Sequence, residues 1–584
     1  MVYNKVQGHW SPLTWAQVRE RVDHAAAGLI VLGVQAGDII SLLSENRPEW
    51  MLADLAVLSA GAADAPIYAT NTPAECAYVV RDSNSKVCFA SSQEQVDKLA
   101  KTRADMPSLT HIVHFDAGIK ATLEGVTLIS LADLEALGRE KGTQAAVEAR
   151  VAGVDREQLL TLIYTSGTTG DPKGVMLTHG AMMANCEASY RAIKMNTDDS
   201  LVSFLPLSHS FERMAGYYLA LLYAGATIYY AESIPKLVEN IGDVKPTVVA
   251  SVPRIYEKVY SNFMAARDSA TGLKRKLMDW AIEVGLKVSK ERQAGREPGG
   301  LLGLQYKIAF KLVFSKLSLK LGGRIRFFVS GGAPLSRDIA EFFHAANLLV
   351  LEGYGLSETA PVLTVNRPDA YRFGSVGKVI DNVEIKIAED GEILARGPNI
   401  MKGYYNKPEA SAEVLLADGW FATGDIGEFD GDGFLRITDR KKDLFKTAGG
   451  KYVAPQNLEN QLKLQKFIEQ PCIVGDQRPY CIALLVPRFD NLLPWAQEHG
   501  VTFKDQHELV KNPKVIELLQ KDVDAVNAHL ARYEQIKYFL LLGEAFSQEN
   551  GFLTPSMKVK RKGVIKAYAA QIDEIYAKNQ RSAD

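Results

Sequence analysis

The segment "DIISLLSENRPEWMLADLAVLSAGAADAPIY", residues 38–68, places two short apolar runs on either side of a helix-like stretch. "DIISLLS" is typical of a buried strand, "EWMLADLAVLSAGA" has the apolar spacing of a helix, and "ADAPIY" is a second short strand. Neighbouring parallel strands need a long crossover connection, which is usually a helix. The segment therefore predicts an α/β fold with a mostly parallel sheet.

The same alternation continues on both sides of this segment. Before it, "TWAQVRERVDHAAAGLIVLGV" has helical spacing that ends at Gly33. After it come four short β-rich runs, "LLTLIY", "GATIYYA", "PTVVASV" and "IRFFVS". The loops that follow such strands lie at their carboxyl ends, where open α/β sheets bind ligands.

From about Asn382 the pattern changes to pairs of short strands. "NVEIKIAEDGEILARG" predicts a hairpin that turns at Asp390-Gly391, and "IGEFDGDGFLRITDR" predicts a second one that turns between residues 430 and 433. The acidic second turn also allows a calcium-loop interpretation. However, an EF-hand loop would use the positions of Phe434 and Arg436 for ligands, so a structural turn is preferred.

The length of 584 residues exceeds what one hydrophobic core usually supports. We predict a large N-terminal α/β domain with mostly parallel sheets over residues 1–439, including a β-hairpin-rich subdomain over about residues 375–438. Residues 440–584 are predicted to form a smaller, mobile C-terminal α+β domain. The boundary is expected between Asp439 and Lys442.

The composition excludes several classes of protein. The 67 basic and 69 acidic residues give a net charge of −2, so the overall charge does not favour nucleic-acid binding. The five cysteines are scattered and never spaced as CxxC, which favours a reducing compartment. No apolar run is long enough for a membrane span, and the N-terminus lacks an apolar signal segment. We expect a cytoplasmic multidomain protein.

The loop "YTSGTTGDPKGV", residues 164–175, follows a predicted strand and combines glycines, hydroxyls and one lysine. Backbone N–H groups of such a loop can point at an anion, and glycine lets the backbone approach it closely. The lysine spacing does not match a Walker A loop. A phosphate-holding loop is the preferred interpretation, and a surface turn rich in serine, threonine and glycine is the alternative.

Four further polar stretches agree with nucleotide chemistry. "YGLSET" starts at Tyr354, "TGD" ends at Asp425, "DRKKD" begins at Asp439, and "TPSMKVKR" contains Lys558. Together they offer an aromatic ring, carboxylates and cations. The alternatives are surface ion pairs, core packing for the tyrosine, and a solvated basic tail for the lysine.

With these motifs, and with "LPLSHSFERM", "SVPRIYEK", "SGGAPLS", "MKGYYNKPE" and "DRKKDLFKTAGGKYVAP", the chain resembles the adenylate-forming superfamily over nearly its whole length. Within that superfamily it is similar to the long-chain fatty acid–CoA ligases. The resemblance implies ATP, CoA and a long-chain fatty acid as substrates, with Mg²⁺ as cofactor. The implied nucleotide-binding residues are Thr165, Ser166, Gly167, Thr168, Thr169, Gly170, Lys173, Gly332, Ala333, Pro334, Tyr354, Gly355, Ser357, Thr359, Asp425 and Arg440.

The resemblance also implies a role for each part of this set. The hydroxyl-rich loop would hold the β- and γ-phosphates, and the loop after Gly332 would line the adenine site with Tyr354 stacked on the ring. Asp425, assisted by Arg440, would accept hydrogen bonds from the ribose hydroxyls. The hydroxyls of residues 357 and 359 would lie against the α-phosphate.

Three residues are implied in the chemistry itself. Glu358 would bind Mg²⁺, a hard ion that prefers oxygen ligands. Lys558 would neutralise charge on the α-phosphate and the attacking carboxylate, with Lys560 as the alternative if the register is shifted. His209 would border the acyl carbonyl in a positioning role.

The two half-reactions of this superfamily use two arrangements of the small domain. The resemblance puts the hinge at Lys442, and puts Gly449 and Lys451 in a loop that would face CoA after rotation. Transfer of the acyl group to a carrier protein or an amine, and a catalytically silent nucleotide-binding protein, stay open as alternatives.

Two segments have two interpretations each. "FERMAGYYLALLYAGA" could line an acyl tunnel, for which Gly355 leaves room, or could be a buried core helix. The segment from Thr271 to Arg324 holds twelve basic and four acidic residues and could dock on anionic lipid or form a solvated, partly buried helix pair. Contact with membrane lipid and homodimer formation are left open.

Overall fold

A computed structural model describes residues 1–165, 171–554 and 558–580. Its strands are β1 Val2–Val6, β2 His9–Leu13, β3 Ile39–Leu43, β4 Ala63–Ile67, β5 Val87–Ala90, β6 His111–His114, β7 Thr127–Ser130, β8 Leu159–Thr165, β9 Lys173–Thr178, β10 Ser200–Ser203, β11 Thr227–Tyr230, β12 Val248–Ser251, β13 Phe327–Ser330, β14 Val350–Gly355, β15 Val362–Val365, β16 Lys378–Val379, β17 Glu384–Ile387, β18 Glu392–Arg396, β19 Gly403–Tyr404, β20 Phe421–Phe429, β21 Leu435–Arg440, β22 Phe445–Lys446, β23 Tyr452–Val453, β24 Ile468–Val474, β25 Cys481–Pro487 and β26 Ile536–Leu541.

The α-helices are α1 Trp15–Val31, α2 Pro48–Ser59, α3 Pro73–Asp82, α4 Gln93–Lys101, α5 Leu131–Lys141, α6 Gln144–Ala152, α7 His179–Ile193, α8 Leu237–Val244, α9 Pro253–Asp268, α10 Gly272–Gln293, α11 Gly300–Ala309, α12 Ser315–Lys320, α13 Arg337–Ala345, α14 Pro408–Ala412, α15 Pro455–Lys463, α16 Phe489–Glu498, α17 Gln506–Leu509, α18 Pro513–Asn527, α19 Arg561–Ala567 and α20 Ala569–Gln580. Two π-helical segments cover Glu212–Tyr223 and Phe310–Phe314. Among the described residues, no helix combines the length and the apolar character that crossing a membrane requires.

The segment at residues 38–68 folds as predicted. It forms β3, α2 and β4, and the two strands pair in parallel with Ile39 opposite Ala63. Helix α2 starts at Pro48, a position where the missing N–H costs nothing. Both strands are buried along their whole length, as a sheet covered on both faces requires.

The large sheet has the strand order β19-β9-β8-β4-β3-β5-β6-β7 and is parallel from β8 to β7. A second sheet, β12-β13-β14-β15-β16, is parallel through its first three strands. A third, β10-β11-β1-β2, is parallel through its first three strands. The predicted fold class, an α/β protein with mostly parallel sheets in its large N-terminal part, is confirmed.

Both predicted hairpins form in the antiparallel sheet β17-β18-β20-β21. Gly391 has a φ of 85°, a conformation that glycine adopts without strain, and it closes the first turn. In the second turn the Asp430 carboxylate accepts the backbone N–H groups of Asp432 and Phe434, both at 2.9 Å, and pairs with Arg372. This acidic turn is therefore held by backbone and arginine donors, as the structural-turn interpretation predicts.

The residues after β21 build their own apolar cores. Two clusters around β24, β25 and β26 consist only of residues between Phe445 and Tyr576. Their contacts with the preceding residues include polar pairs, such as Arg254 with Glu469 at 3.2 Å and Arg488 with Ser261 at 2.6 Å. We retain a domain boundary between residues 439 and 440 as a proposal.

A buried polar cluster anchors the π-helical segment Glu212–Tyr223 to the large sheet. The Arg213 guanidinium is fully buried and donates hydrogen bonds to Asp54 at 2.5 Å, Asp64 at 2.8 Å and the Thr161 hydroxyl at 3.0 Å. Tyr217 donates a further hydrogen bond to Asp54 at 2.9 Å. The cluster joins residues that are up to 163 positions apart in the sequence.

Replacing Arg213 with methionine is expected to destabilise the large domain by about 3–5 kcal/mol, because two buried carboxylates lose their cation. Arg275→Met is the matched control. Arg275 is one-third exposed and pairs with acidic side chains on the surface, so its loss should cost less than about 1 kcal/mol. The measurement is the urea midpoint of the large-domain transition. Equal midpoints for the two variants would contradict the anchoring role.

Candidate active site

A cleft of about 1910 Å³ runs between the large domain and the residues after β21. It opens at the carboxyl ends of β8, β13 and β14, where an open α/β sheet is expected to bind ligands. Most of the residues that the sequence analysis selected line it. Among the described residues these are Thr165, Lys173, His209, Gly332, Ala333, Pro334, Tyr354, Gly355, Ser357, Glu358, Asp425, Arg440, Lys442 and Lys558.

One end of the cleft carries a lysine, a tyrosine and a carboxylate in series. Lys173 begins β9 and pairs with Thr165, which ends β8. The Lys173 ammonium lies 4.7 Å from the centre of the Tyr404 ring, and the Tyr404 hydroxyl donates to Glu358 Oε1 at 2.8 Å. The predicted loop residues Ser166, Gly167, Thr168, Thr169 and Gly170 lie outside the described residues.

Tyr404 is a site residue that the sequence analysis did not assign. It stands in "MKGYYNKPE", a stretch quoted there for its resemblance only. Its hydroxyl fixes one oxygen of Glu358, and the Met401 N–H donates to the Glu358 carbonyl at 2.8 Å. Both the backbone and the side chain of this glutamate are therefore held in place from a distant segment.

Glu358 is the predicted Mg²⁺ ligand. Within residues 1–165, 171–554 and 558–580, no group of three or more histidine, cysteine, aspartate or glutamate side chains is arranged to hold a metal ion. A single carboxylate nevertheless suits Mg²⁺, which often takes one or two carboxylates and completes its octahedron with phosphate oxygens and water. The donor set therefore fits an ion that arrives with a nucleotide.

Thr359 does not reach the cleft, contrary to the expectation that it lies against a phosphate. Its side chain is fully buried, and its hydroxyl donates to the carbonyls of Pro361 and Leu356. The same oxygen accepts the Leu356 N–H at 3.0 Å. The residue therefore holds the turn that presents Ser357, whose hydroxyl lies in the cleft 3.0 Å from the Ser210 hydroxyl.

Asp425 contacts two other predicted site residues. It accepts a hydrogen bond from the Tyr354 hydroxyl at 2.8 Å, and the Arg440 guanidinium lies 3.3 Å from its other oxygen. Asp425 and Arg440 are direct partners in the β20–β21 ladder, so the backbone register sets this pair. Burial raises the pKa of Asp425, and the Arg440 charge opposes the rise.

The loop after β13 turns through Gly332, which has a φ of 80°. The Leu335 N–H donates to the Glu352 carboxylate at 2.9 Å and holds the end of this loop against β14. Burial raises the pKa of Glu352 to about 8. The buried glutamate is a second residue that the sequence analysis did not assign, since no local pattern sets it apart from a surface acid.

Backbone packing explains why residue 355 is a glycine, without any role for the substrate. A Cβ atom at this position would lie 1.8 Å from the Pro361 carbonyl oxygen. Only glycine therefore fits at this position, because β14 and β15 approach each other so closely. The interpretation that it leaves room for a tunnel is not needed to explain it.

Lys558 is solvent-accessible, yet its ammonium is surrounded by the walls of the cleft. This enclosure lowers its pKa to about 8, as does the positive charge of Arg440, while Asp425 and Glu358 act in the opposite direction. Lys560 lines the same cleft, so position alone does not exclude the shifted register.

His209 is a neutral acceptor in this structure. The Phe211 N–H donates to His209 Nδ1 at 3.1 Å, which requires a lone pair on that nitrogen. Burial and the nearby Lys558 charge lower the pKa of His209 to about 4. This arrangement suits a positioning role better than proton transfer.

The π-helical segment Glu212–Tyr223 is buried, as the core interpretation predicts, and the acyl-tunnel interpretation stays a prediction. It is a buried core element through Arg213, while Met214, Ala215 and Leu219 face the cleft. An apolar wall therefore begins next to His209.

The predicted hinge residue lies in a turn directly after β21. The Lys441 N–H donates to the Gly424 carbonyl, and the Lys441 ammonium bridges Asp390 and Glu392 at 2.6 and 2.7 Å. Lys442 follows and is exposed. Gly449 and Lys451 are exposed in a separate turn and do not line the cleft.

Comparisons with known proteins agree with this architecture. A family model described as AMP-binding enzyme matches residues 1–405, and one described as AMP-binding enzyme C-terminal domain matches residues 442–580. The chain is 35% identical to "Long-chain-fatty-acid--CoA ligase FadD15" of Mycobacterium bovis, over 99% of this chain and 94% of that protein. It is 33% identical to "Long chain acyl-CoA synthetase 7, peroxisomal" of Arabidopsis thaliana, over 98% of this chain and 82% of that protein.

Among solved structures, the adenylation domain of a carboxylate reductase from Mycobacterium chelonae superimposes with a TM-score of 0.78 at 23% identity, covering 99% of this chain and 88% of that one. This likeness concerns the fold. The two family matches together cover well over half of the chain and include Lys173, Glu358 and Lys558 of the cleft. The chain belongs to the AMP-binding enzymes.

Proposed function

We propose that this protein activates a long-chain fatty acid with ATP to give acyl-AMP and pyrophosphate, and then transfers the acyl group to CoA with release of AMP. The convergence of Lys558, Glu358, Asp425 and Arg440 on one cleft supports this function most directly. The names of full-length relatives support the long-chain acid and CoA as substrates.

In the first half-reaction a carboxylate oxygen attacks the α-phosphorus of ATP, and the bond to the pyrophosphate oxygen breaks. The enzyme contributes position and charge stabilisation, because phosphoryl-type transfers need little covalent help. Asp425 would hold the ribose and Tyr354 the base, while Lys173 would meet the terminal phosphates. Lys558 would stand between the α-phosphate and the attacking carboxylate.

Mg²⁺ held by Glu358 and the nucleotide would neutralise phosphate charge and so favour departure of pyrophosphate. The protein's own part is to fix Glu358, through the Tyr404 hydroxyl and the Met401 N–H. The neutral His209 would border the acyl carbonyl without repelling or protonating the carboxylate.

In the second half-reaction the CoA thiol attacks the acyl carbonyl and AMP leaves. The apolar wall of Met214, Ala215 and Leu219 would receive the first part of the acyl chain. Burial of that wall favours an alkyl chain over a polar acid, by about 0.8 kcal/mol for each methylene removed from water.

The test is pyrophosphate–ATP exchange by the purified protein with magnesium and palmitate, followed by addition of CoA. Exchange that depends on the fatty acid, together with palmitoyl-CoA formation, is expected. Absence of exchange would identify a silent nucleotide-binding protein. Exchange without any thioester would favour a carrier protein or an amine as acceptor, and a series of acids from short to very long would give the chain-length range.

The pH dependence of adenylation is expected to follow Lys558. Its useful form is the ammonium, and its pKa in the free enzyme is lowered to about 8. The kcat/KM for ATP in the exchange reaction should therefore fall as pH rises through about 8, by about tenfold per pH unit. The kcat should fall only at higher pH, because bound phosphates favour the ammonium.

Lys558→Arg is the control for this profile, since arginine stays charged throughout the range. The variant is expected to be slower but flat above pH 8. A wild-type kcat/KM that stays constant up to pH 10, or an equal decline in the arginine variant, would contradict the assignment.

A further inference from the structure

The helical segment from residue 301 to residue 320, which comprises most of α11, a π-helical turn and α12, exposes an unusual surface. Its exposed apolar side chains are large, and their exposed fractions range from 45% to 72%. They are Leu301, Leu304, Ile308, Leu312 and Leu319. Scattered exposed apolar residues are normal, but a contiguous set marks an interaction site.

The segment also carries four exposed lysines, at positions 307, 311, 316 and 320. Leu304, Ile308 and Leu312 are four residues apart, so they share one row along the helix, and Lys307 and Lys311 form the adjacent row. In the described part of the chain these lysines make no ion pair. We call these nine side chains the leucine–lysine face.

The opposite side of the segment is firmly packed, so the exposure is not a result of a loose helix. The Tyr306 hydroxyl donates to the Ala345 carbonyl at 2.9 Å, and Phe314 is fully buried. The Phe314 ring stacks on Phe263 of α9, with ring centres 6.4 Å apart. Helix α9 in turn forms part of the cleft wall, through residues such as Ile255 and Ser261.

Charge decides between the partners that an apolar surface could bind. Residues 298–324 contain no aspartate or glutamate. A second copy of this chain that met the first through the same face would bring the lysines of both together without an acid to pair with them. An anionic lipid surface satisfies both features, because lysine heads attract phosphate groups while leucine side chains enter the acyl boundary.

We propose that the leucine–lysine face docks the protein on anionic membranes, with the segment lying in the interface. Lys307 and Lys311 lie in the row beside Leu304, Ile308 and Leu312, so their ammonium groups can reach the headgroups while their stems cover apolar surface. Docking would bring the cleft wall of α9 within one helix of the bilayer. This inference does not depend on the proposed substrate.

The test is co-sedimentation of the full-length protein with vesicles of phosphatidylcholine containing about one-third phosphatidylglycerol. Binding is expected with these vesicles, weak binding with pure phosphatidylcholine, and release at high salt because exposed charges are then screened. Protein that stays in the supernatant with the anionic vesicles at low salt would overturn the proposal.

Two variants separate the two parts of the face. Lys307→Gln with Lys311→Gln, Lys316→Gln and Lys320→Gln removes charge. Leu304→Asn with Ile308→Asn and Leu312→Asn removes apolar surface. Each lysine near an anionic surface contributes roughly fivefold to binding, so loss of all four should weaken binding by roughly several hundredfold. Loss of three apolar side chains from the interface should weaken it by at least about tenfold.

Lys511→Gln with Ile516→Asn is the matched control, because it removes an exposed lysine and an exposed apolar residue from the C-terminal region. It should bind like the wild type, and thermal unfolding should show that all variants are folded. Unchanged vesicle binding by the two face variants would overturn the proposal. If they instead convert a dimer to a monomer while still binding vesicles, the face is a subunit interface.

Discussion

Lys558→Gln is expected to reduce formation of acyl-AMP by about 10²–10³-fold, the usual cost of removing one charge-stabilising donor from a reaction centre. Glutamine keeps the length and some hydrogen bonding of lysine but not its charge. The ammonium lies near Asp425, Glu358 and Arg440, in a cleft where water screens it poorly. The measurement is pyrophosphate–ATP exchange with palmitate.

Two controls make this result specific. Lys560→Gln tests the shifted register and should leave exchange close to that of the wild type. Thioester formation from synthetic palmitoyl-AMP should be far less sensitive to Lys558→Gln, since no phosphate charge develops in that step. If Lys560→Gln abolished exchange and Lys558→Gln did not, the catalytic lysine would be Lys560.

Lys442→Pro is expected to leave acyl-AMP formation nearly intact and to slow thioester formation by ~10²-fold or more. In this structure Lys558 lines the cleft, whereas Gly449 and Lys451 do not. If those two residues meet CoA, the C-terminal domain must turn between the half-reactions. Proline fixes φ near −65°, and a hinge has to change that angle.

The turn around Lys442 can accept proline, so this variant tests the hinge prediction cleanly. Backbone hydrogen bonds of the turn are donated by Lys441, Asp443 and Leu444, so proline at 442 locks an angle without removing any of these donors. The contacts between the domains include exposed polar pairs such as Arg254 with Glu469, which can separate at low cost.

Lys442→Ala is the control, because it removes the side chain and leaves the backbone free. It should support both half-reactions. Normal palmitoyl-CoA formation by Lys442→Pro would exclude this hinge. Equal impairment of the alanine variant would show that the lysine side chain matters instead.

The site residues show which features of the site a local sequence pattern can predict and which it cannot. Asp425 and Arg440 could be found from their motifs, and the hairpin that pairs them was itself predicted from its turn. A motif gives residue order but not the direction of a side chain: the Thr359 hydroxyl turns inward to bind backbone carbonyls, and its predicted contact with the α-phosphate stays a prediction. Tyr404 was missed because it reaches Glu358 from 46 residues away.

The α/β class, the strand–helix–strand unit at residues 38–68 and the hairpin turns could all be predicted from the amino-acid sequence. Apolar periodicity and turn residues report burial and backbone geometry within one element, and these are local properties. Three features could be seen only in the folded protein: Arg213 joins Asp54 and Asp64, Gly355 has no room for a Cβ, and the leucine–lysine face is left uncovered. These features depend on which elements pack together. Contacts between residues far apart in the chain produce no local sequence pattern from which they could be predicted.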